Sequence, residues 1–229
     1  RRSEETISYW CGYSETQVSF NGQLLNKELA VDSPCSAEVS GPGTRAVVGM
    51  SAEPLPEYGM YNHGLTLKQG REGLLPGLTF RIKSNYLEHT LTRDNVIVDA
   101  NYHKAMAILN GAAENQLVEV FLAKLSALQR RLPEGLEELE SLLQAAQAWL
   151  RARPKLVNRL ANRPMLPTHH HGLVPLSLLK SKGFLEGAIY YDLVSGPVTE
   201  ALAREDLPVL WGRAATGVVE LFSARSFYQ

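Results

Sequence analysis

Leu78-Thr79-Phe80-Arg81-Ile82, then Leu87-Glu88-His89-Thr90-Leu91-Thr92-Arg93-Asp94-Asn95, then Ala105, Ile108, Leu109 and Ala112 form the passage that decides the fold. The first run alternates apolar and polar residues, the period-two signature of a half-buried strand. The last set has helical spacing, and the polar stretch between them is a loop. Tyr61-Asn62-His63-Gly64-Leu65-Thr66-Leu67 also alternates and reads as a strand. Arg93 therefore stands where a sheet hands over to a helix, on a loop anchored at both ends, a usual place for a residue that reaches a ligand. Its guanidinium can present a planar, always-charged fork to phosphate oxygens. The same spacing also allows Arg93 to pair with Asp94, Asp99 or a nearby backbone carbonyl.

Size and charge narrow the classes. With 229 residues and 45% hydrophobic content, the chain can bury one sizeable core or two smaller ones. Lys and Arg number 23 against 24 Asp and Glu, for a net charge of −1, where a generic nucleic-acid binder is expected to be basic. No window approaches eighteen consecutive apolar residues and no signal-peptide core opens the chain, so a cytoplasmic location without membrane contact is the expectation. Cys11 and Cys35 lack metal-like spacing and read as two buried thiols. The start at Arg1-Arg2-Ser3, without methionine, reads as a piece of a longer protein.

Before the loop, Ser3-Glu4-Glu5-Thr6 with Ile7, Tyr9, Trp10 and Tyr13 predicts a helix of about three turns. A strand over 17–20 stops at Asn21-Gly22, a hairpin signal. Gly41-Pro42-Gly43 separates short strands over 37–39 and 45–51, and Pro54, Pro56 and Gly59 mark a loop. Gly70-Arg71-Glu72-Gly73 lacks the Lys-Ser/Thr of a phosphate loop and is expected to be a hairpin connection between the Leu65 and Phe80 strands.

After it, 99–153 reads as nearly continuous helix. Leu117, Phe121, Leu125, Leu128 and Leu132 form one stripe; Leu136, Leu139, Leu143, Ala146 and Leu150 form another beyond Pro133-Glu134-Gly135. Two helices joined there should pack as an antiparallel hairpin. Arg151, Arg153, Lys155, Arg159 and Arg163 are expected on a solvated linker face. His169-His170-His171 invites a metal reading, but adjacent extended residues diverge, and an exposed turn fits better. Helices are predicted at 176–182 and 197–204, and strands at 188–193, 207–211 and 218–222. Strand, helix, strand implies a parallel pair, with Ser195-Gly196 at the end where ligands sit in such sheets. Ser195 has no companion His and acid at fixed spacing.

The order of these runs adds a resemblance. Arg45-Ala46-Val47-Val48-Gly49-Met50, then Gly59 to Leu67, Leu75-Pro76-Gly77-Leu78-Thr79-Phe80 and Leu91-Thr92-Arg93-Asp94 resemble the middle domain of the ninety-kilodalton heat-shock chaperones, GHKL-superfamily ATPases. Ala188-Ile189-Tyr190-Tyr191-Asp192 is similar to that family's Ile-Tyr-Tyr strand. By this resemblance Arg93 matches the catalytic-loop arginine that reaches the terminal phosphate of ATP, and Thr92 and Asn95 join it in the cofactor-contacting set. Thr92 stands where the family usually has serine and Asp94 where it has glutamate. The family's glutamine one turn later has no counterpart at Val96 or Ile97.

The expected fold class is α/β (α+β): a larger layered unit, a helical spacer and a smaller C-terminal unit. The predicted boundaries are 1–30 for a junction from a preceding ATPase domain, 31–132 for the larger subdomain, 133–164 for the spacer and 165–229 for the smaller subdomain. The resemblance implies part of an ATP-dependent, stress-response chaperone, homodimeric as a whole, with ATP held mainly by the preceding domain of the same chain and Mg only through it. Client proteins are the other expected partners, and no nucleic acid is expected. This stretch alone is not expected to hydrolyse ATP. Two alternatives stand beside it: the transducer domain of a DNA-handling GHKL ATPase, and a free-standing small-molecule enzyme using the Ser195 or histidine region.

Overall fold

The computed structural model describes residues 2–92, 95–182 and 190–226. The chain has a larger mixed sheet flanked by helices, a helical linker in sequence, and a smaller mixed sheet with helices, as the pattern predicts. It divides into two compact units, 1–49 with 54–118 and 50–53 with 119–229.

The first unit opens with α1 (Arg2–Cys11) and a small hairpin, β1 (Ser19–Phe20) and β2 (Gln23–Leu24), turned by Asn21 and Gly22 at positive φ. Then follow β3 (Ser36–Gly41), β4 (Thr44–Met50), β5 (Tyr58–Asn62), β6 (Leu65–Gly70) and β7 (Leu78–Ser84). They form one sheet in the order β3-β4-β7-β5-β6, with β5 parallel to β7. The alternating run from Tyr61 is two strands rather than one. His63 and Gly64, at φ 47° and 80°, turn β5 back into β6, the mirror-image geometry a two-residue hairpin needs. The Gly70–Gly73 stretch is likewise no hairpin. It leads from edge strand β6 past β5 to β7, since β7 pairs with β5 and not with β6.

One face of this sheet is an aromatic cluster in which Tyr13 meets Tyr61 at 4.3 Å between centroids, packed with Leu29, Val47 and Val31. The other face carries Leu78, Phe80, Ile82 and Met60, with Phe80 stacked on Tyr58. Helix α2 (Ala100–Glu114) packs on β3 and β7 and buries Ala105, Leu109, Ala112 and Ala113, the stripe its spacing predicts. Each fully buried leucine of this kind stabilises the fold by roughly 1.5–3 kcal/mol. Asp99 caps the helix by accepting the Tyr102 N–H at 2.8 Å.

The helical stretch breaks at Asn115 as well as at 133–135, giving α3 (Gln116–Gln129) and α4 (Leu136–Arg151). Phe121 near the start of α3 meets Trp149 near the end of α4 edge-on, 5.9 Å between centroids, as an antiparallel helical hairpin requires. The second unit continues with α5 (Pro154–Leu160), β8 (Leu166–Thr168), β9 (Gly172–Val174), α6 (Leu176–Lys182), β10 (Tyr190–Asp192), α7 (Pro197–Arg204), β11 (Val209–Trp211) and α8 (Arg213–Ser226). Its sheet runs β10-β11-β8-β9, with the expected parallel pair β10 and β11 and an antiparallel pair on the other side. The predicted strand over 218–222 is part of α8. Ala215, Val218 and Val219 fall three and four apart, share one buried face and pack on α4, so helical periodicity overrides the strand preference of the valines.

The linker helices also contribute core. Leu139, Leu142, Leu143, Ala146, Trp149 and Leu150 of α4 are fully buried within the second unit. Arg153 also departs from the solvated face predicted for it: it is buried, and its Nη1 donates to the Trp149 carbonyl at 3.0 Å. Arg163 forms a two-pronged pair with Glu119 at 3.2 and 3.3 Å. Of the two thiols expected to be buried, Cys35 is and Cys11 is half-exposed; neither is in a disulfide.

Candidate functional site

Two places concentrate functional chemistry, one in each unit. In the first, the chain leaves β7 through a turn at Asn85 and Tyr86, where the Asn85 N–H donates to the Gly43 carbonyl at 2.9 Å. Leu87 is buried, and its carbonyl accepts Asn62 Nδ2 at 2.6 Å. From there the loop closes on itself. His89 and Val96 form an antiparallel bridge, the Ile97 N–H donates to the Glu88 carbonyl and the Thr90 N–H to the Asn95 carbonyl, both at 2.9 Å. Val96 is buried beneath it and Asp99 starts α2 three residues on. The loop base is thus tied to a strand at one end and a capped helix at the other.

Thr92 and Asn95, expected to contact a cofactor, lie in this loop. The Thr92 hydroxyl is 3.2 Å from that of Thr90. Asn95 has a structural task, because its Oδ1 accepts the Val96 N–H at 3.0 Å while its carbonyl holds Thr90. Arg93, the predicted catalytic residue, and Asp94 lie outside the described residues. Beside the loop, Leu91 is fully exposed and Val98 and Ile97 are partly so. These are apolar side chains with no cover within the first unit.

A polar cleft of about 250 Å³ opens along β5 and β6, lined by Glu57, Tyr61, Gln69, Arg71, Thr79 and Arg81 among others. Several of its polar groups are already engaged. Arg71 pairs with Glu57, Gln69 Nε2 donates to the Tyr61 hydroxyl at 3.0 Å, and Arg81 donates to the Ala30 carbonyl and lies over the Tyr13 ring. Burial pushes the Tyr61 hydroxyl well above the ordinary tyrosine range, so it stays a neutral phenol.

The second place was not predicted as a unit. His169-His170-His171 is the three-residue loop of the β8–β9 hairpin, closed by Gly172 at φ 68°, the left-handed position such a loop needs. His170 and His171 are exposed, while His169 turns inward and stacks on Trp211 at 3.6 Å and 16°. No group of three His, Cys, Asp or Glu side chains among the described residues is placed to hold a metal ion. His169 Nδ1 lies 2.9 Å from Ser195 Oγ, and its Nε2 lies 3.2 Å from the Asp192 carbonyl oxygen. A carbonyl only accepts, so Nε2 carries the ring proton, and Nδ1 in the neutral ring is the acceptor facing the Ser195 hydroxyl. Burial holds the imidazole below its ordinary pKa, partly opposed by the Asp192 carbonyl and carboxylate, so the neutral form prevails near pH 7.

The loop carrying Ser195 is fixed at both ends. Asp192 Oδ1 accepts the Leu193 and Val194 N–H groups at 2.7 and 3.3 Å, and the Gly196 N–H donates to Thr199 Oγ1 at 2.8 Å. His169 and Ser195 were each visible in the sequence, but nothing linked residues 26 apart. The roles of Trp211 and the Asp192 carbonyl had no sequence signal at all.

A scan against protein-family models finds no match to this chain, and a search of curated proteins finds none either. Among the described residues no helix is long and apolar enough to cross a membrane.

Proposed function

We propose that this chain is the middle region of a chaperone-like ATPase resembling the ninety-kilodalton heat-shock proteins, and that it completes the ATPase site of a preceding domain through Arg93. The observation that carries the reading is the bridge-closed loop between β7 and α2. A hairpin closed at its base by two backbone hydrogen bonds, with Leu91, Thr92 and Asn95 exposed, is the support a phosphate-reaching arginine needs, because misplacing the charge by an ångström forfeits most of its effect. Exposed Leu91 in this loop and Ile97 and Val98 just after it supply apolar surface for the ATP-holding domain to cover.

In this role Arg93 stabilises charge developing on the terminal phosphate, while the ATP and its Mg belong mainly to the neighbouring domain. Thr92 and Asn95 shape the loop that presents it. The same region offers surface to client proteins. The test is steady-state ATP turnover and nucleotide affinity of the protein containing both domains, before and after Arg93→Ala. Turnover should fall about 10²–10³-fold with affinity nearly kept. Unchanged turnover would make Arg93 a structural residue and remove the catalytic part of the proposal.

A further inference from the structure

We propose that Ser195 and His169 form a nucleophile–base pair that takes acyl groups from small carboxylic esters. It is independent of the ATPase reading and lies in the other unit. Three features are already in place. The hydroxyl faces Nδ1 at 2.9 Å, within the reach a general base needs. The opposite ring nitrogen is fixed by the Asp192 carbonyl at 3.2 Å, which sets the tautomer that leaves Nδ1 free to accept. Stacking on Trp211 fixes the ring plane.

The surroundings define the substrate. Ser195 is exposed on the loop that enters α7, so an ester can reach it. Leu193, Val194 and Val198 flank it in sequence and are 50%, 68% and 68% exposed, apolar surface suited to a short acyl chain rather than a charged one. The first turn of α7 offers the backbone N–H of Val198, which has no acceptor four residues back within the helix, as a donor for the oxygen on which charge develops.

The chemistry balances without any further reagent. Ser195 Oγ attacks the acyl carbon as its proton passes to His169 Nδ1. The tetrahedral species then collapses, the bond to the leaving alkoxide breaks, and Nδ1 returns the proton to that oxygen. Water attacks the acyl-serine with Nδ1 again taking a proton, the bond to Oγ breaks, and Oγ recovers the proton. The net change is ester plus water to acid plus alcohol. The group behind the imidazole is a carbonyl and not a carboxylate, since the Asp192 carboxylate is occupied by the Leu193 and Val194 N–H groups. It orients the ring without a full negative charge, so turnover should lie well below that of a complete triad.

The experiment treats the full chain with a fluorophosphonate probe and with p-nitrophenyl acetate, mapping adducts by peptide mass spectrometry. The expected result is a single adduct on Ser195, absent in Ser195→Ala, with ester turnover reduced about 100-fold or more in His169→Gln. The wild-type labelling rate should fall as pH is lowered through the pKa of His169, read from its ring proton resonances, a readout that needs no variant to fold. No adduct on Ser195, acetylation at another residue only, or a rate that ignores the His169 titration overturns the proposal.

Discussion

Replacing Gly64 by alanine tests the junction on which the first unit closes, and Gly22 provides its own control. Both glycines sit at φ +80°, each second in a two-residue hairpin turn and each after a residue with positive φ, Asn21 at 50° or His63 at 47°. The left-handed backbone therefore costs alanine the same at either site, about 1–2 kcal/mol. The surroundings differ. A Cβ on Gly22 meets nothing within 4 Å, whereas one on Gly64 falls 1.9 Å from the Tyr13 carbonyl oxygen and 2.5 Å from the Ser14 Cα. Those are backbone atoms that no rotamer change moves aside, so the turn itself must shift, at an added cost of about 1–3 kcal/mol. Gly64→Ala should then lose about 2–5 kcal/mol and Gly22→Ala about 1–2. Urea titration followed by circular dichroism reads the difference, and hydrogen exchange over β5 and β6 assigns it to the first unit. Equal losses for the two variants would refute the close approach of the hairpin turn to the segment after α1.

Other expected outcomes concern the second unit. The Glu140 carboxylate accepts the Ala214 N–H at 3.1 and 3.3 Å, capping the start of α8 from α4, so Glu140→Ala should cost about 1–2 kcal/mol by urea denaturation and Glu140→Gln less, since an acceptor remains. Burial lowers the pKa of His169 from its ordinary 6.5 in the folded state, so the unfolded chain binds the proton more readily. Its contribution to stability is present above pH 6.5 and is lost as pH falls through the lower, folded value. Urea midpoints measured down that range should drop in the wild type and drop less in His169→Gln; a wild-type midpoint that is flat across it would contradict the burial.

The handover from β7 to α2 was legible because period two gives way to period 3.6 within a few residues, with Asp99 in place as the cap. The β5–β6 hairpin was hidden for a physical reason. The alternation of Tyr61, Leu65 and Leu67 runs straight through His63-Gly64 in the sequence, but the turn pairs Tyr61 with Thr66 and Asn62 with Leu65, which reverses the facing parity and leaves Leu65 exposed and Thr66 buried. Residues 218–222 misled because β-branched residues favour strands in isolation, while contact with α4 decides otherwise. Strand β8 was invisible: Leu-Pro-Thr has no alternation to read, yet all three residues are buried. The pairing of His169 with Ser195 depends on β8, β10 and β11 lying in one sheet, a long-range arrangement that local spacing does not encode.

The position of β7 governs when the first unit can fold. Of the strands in its sheet, β3 with β4 and β5 with β6 are local hairpins, and β7 alone joins them, lying between β4 and β5. An isolated two-stranded hairpin is marginal in water, so neither half gains lasting stability before residues 78–84 insert. During synthesis the sheet therefore stays open until its last strand has left the ribosome, and closure then depends on non-local pairing, which is slow. The segment that completes the sheet continues directly into the loop at 88–96, so the proposed phosphate-sensing arm acquires its fixed base only at the step that makes the unit stable.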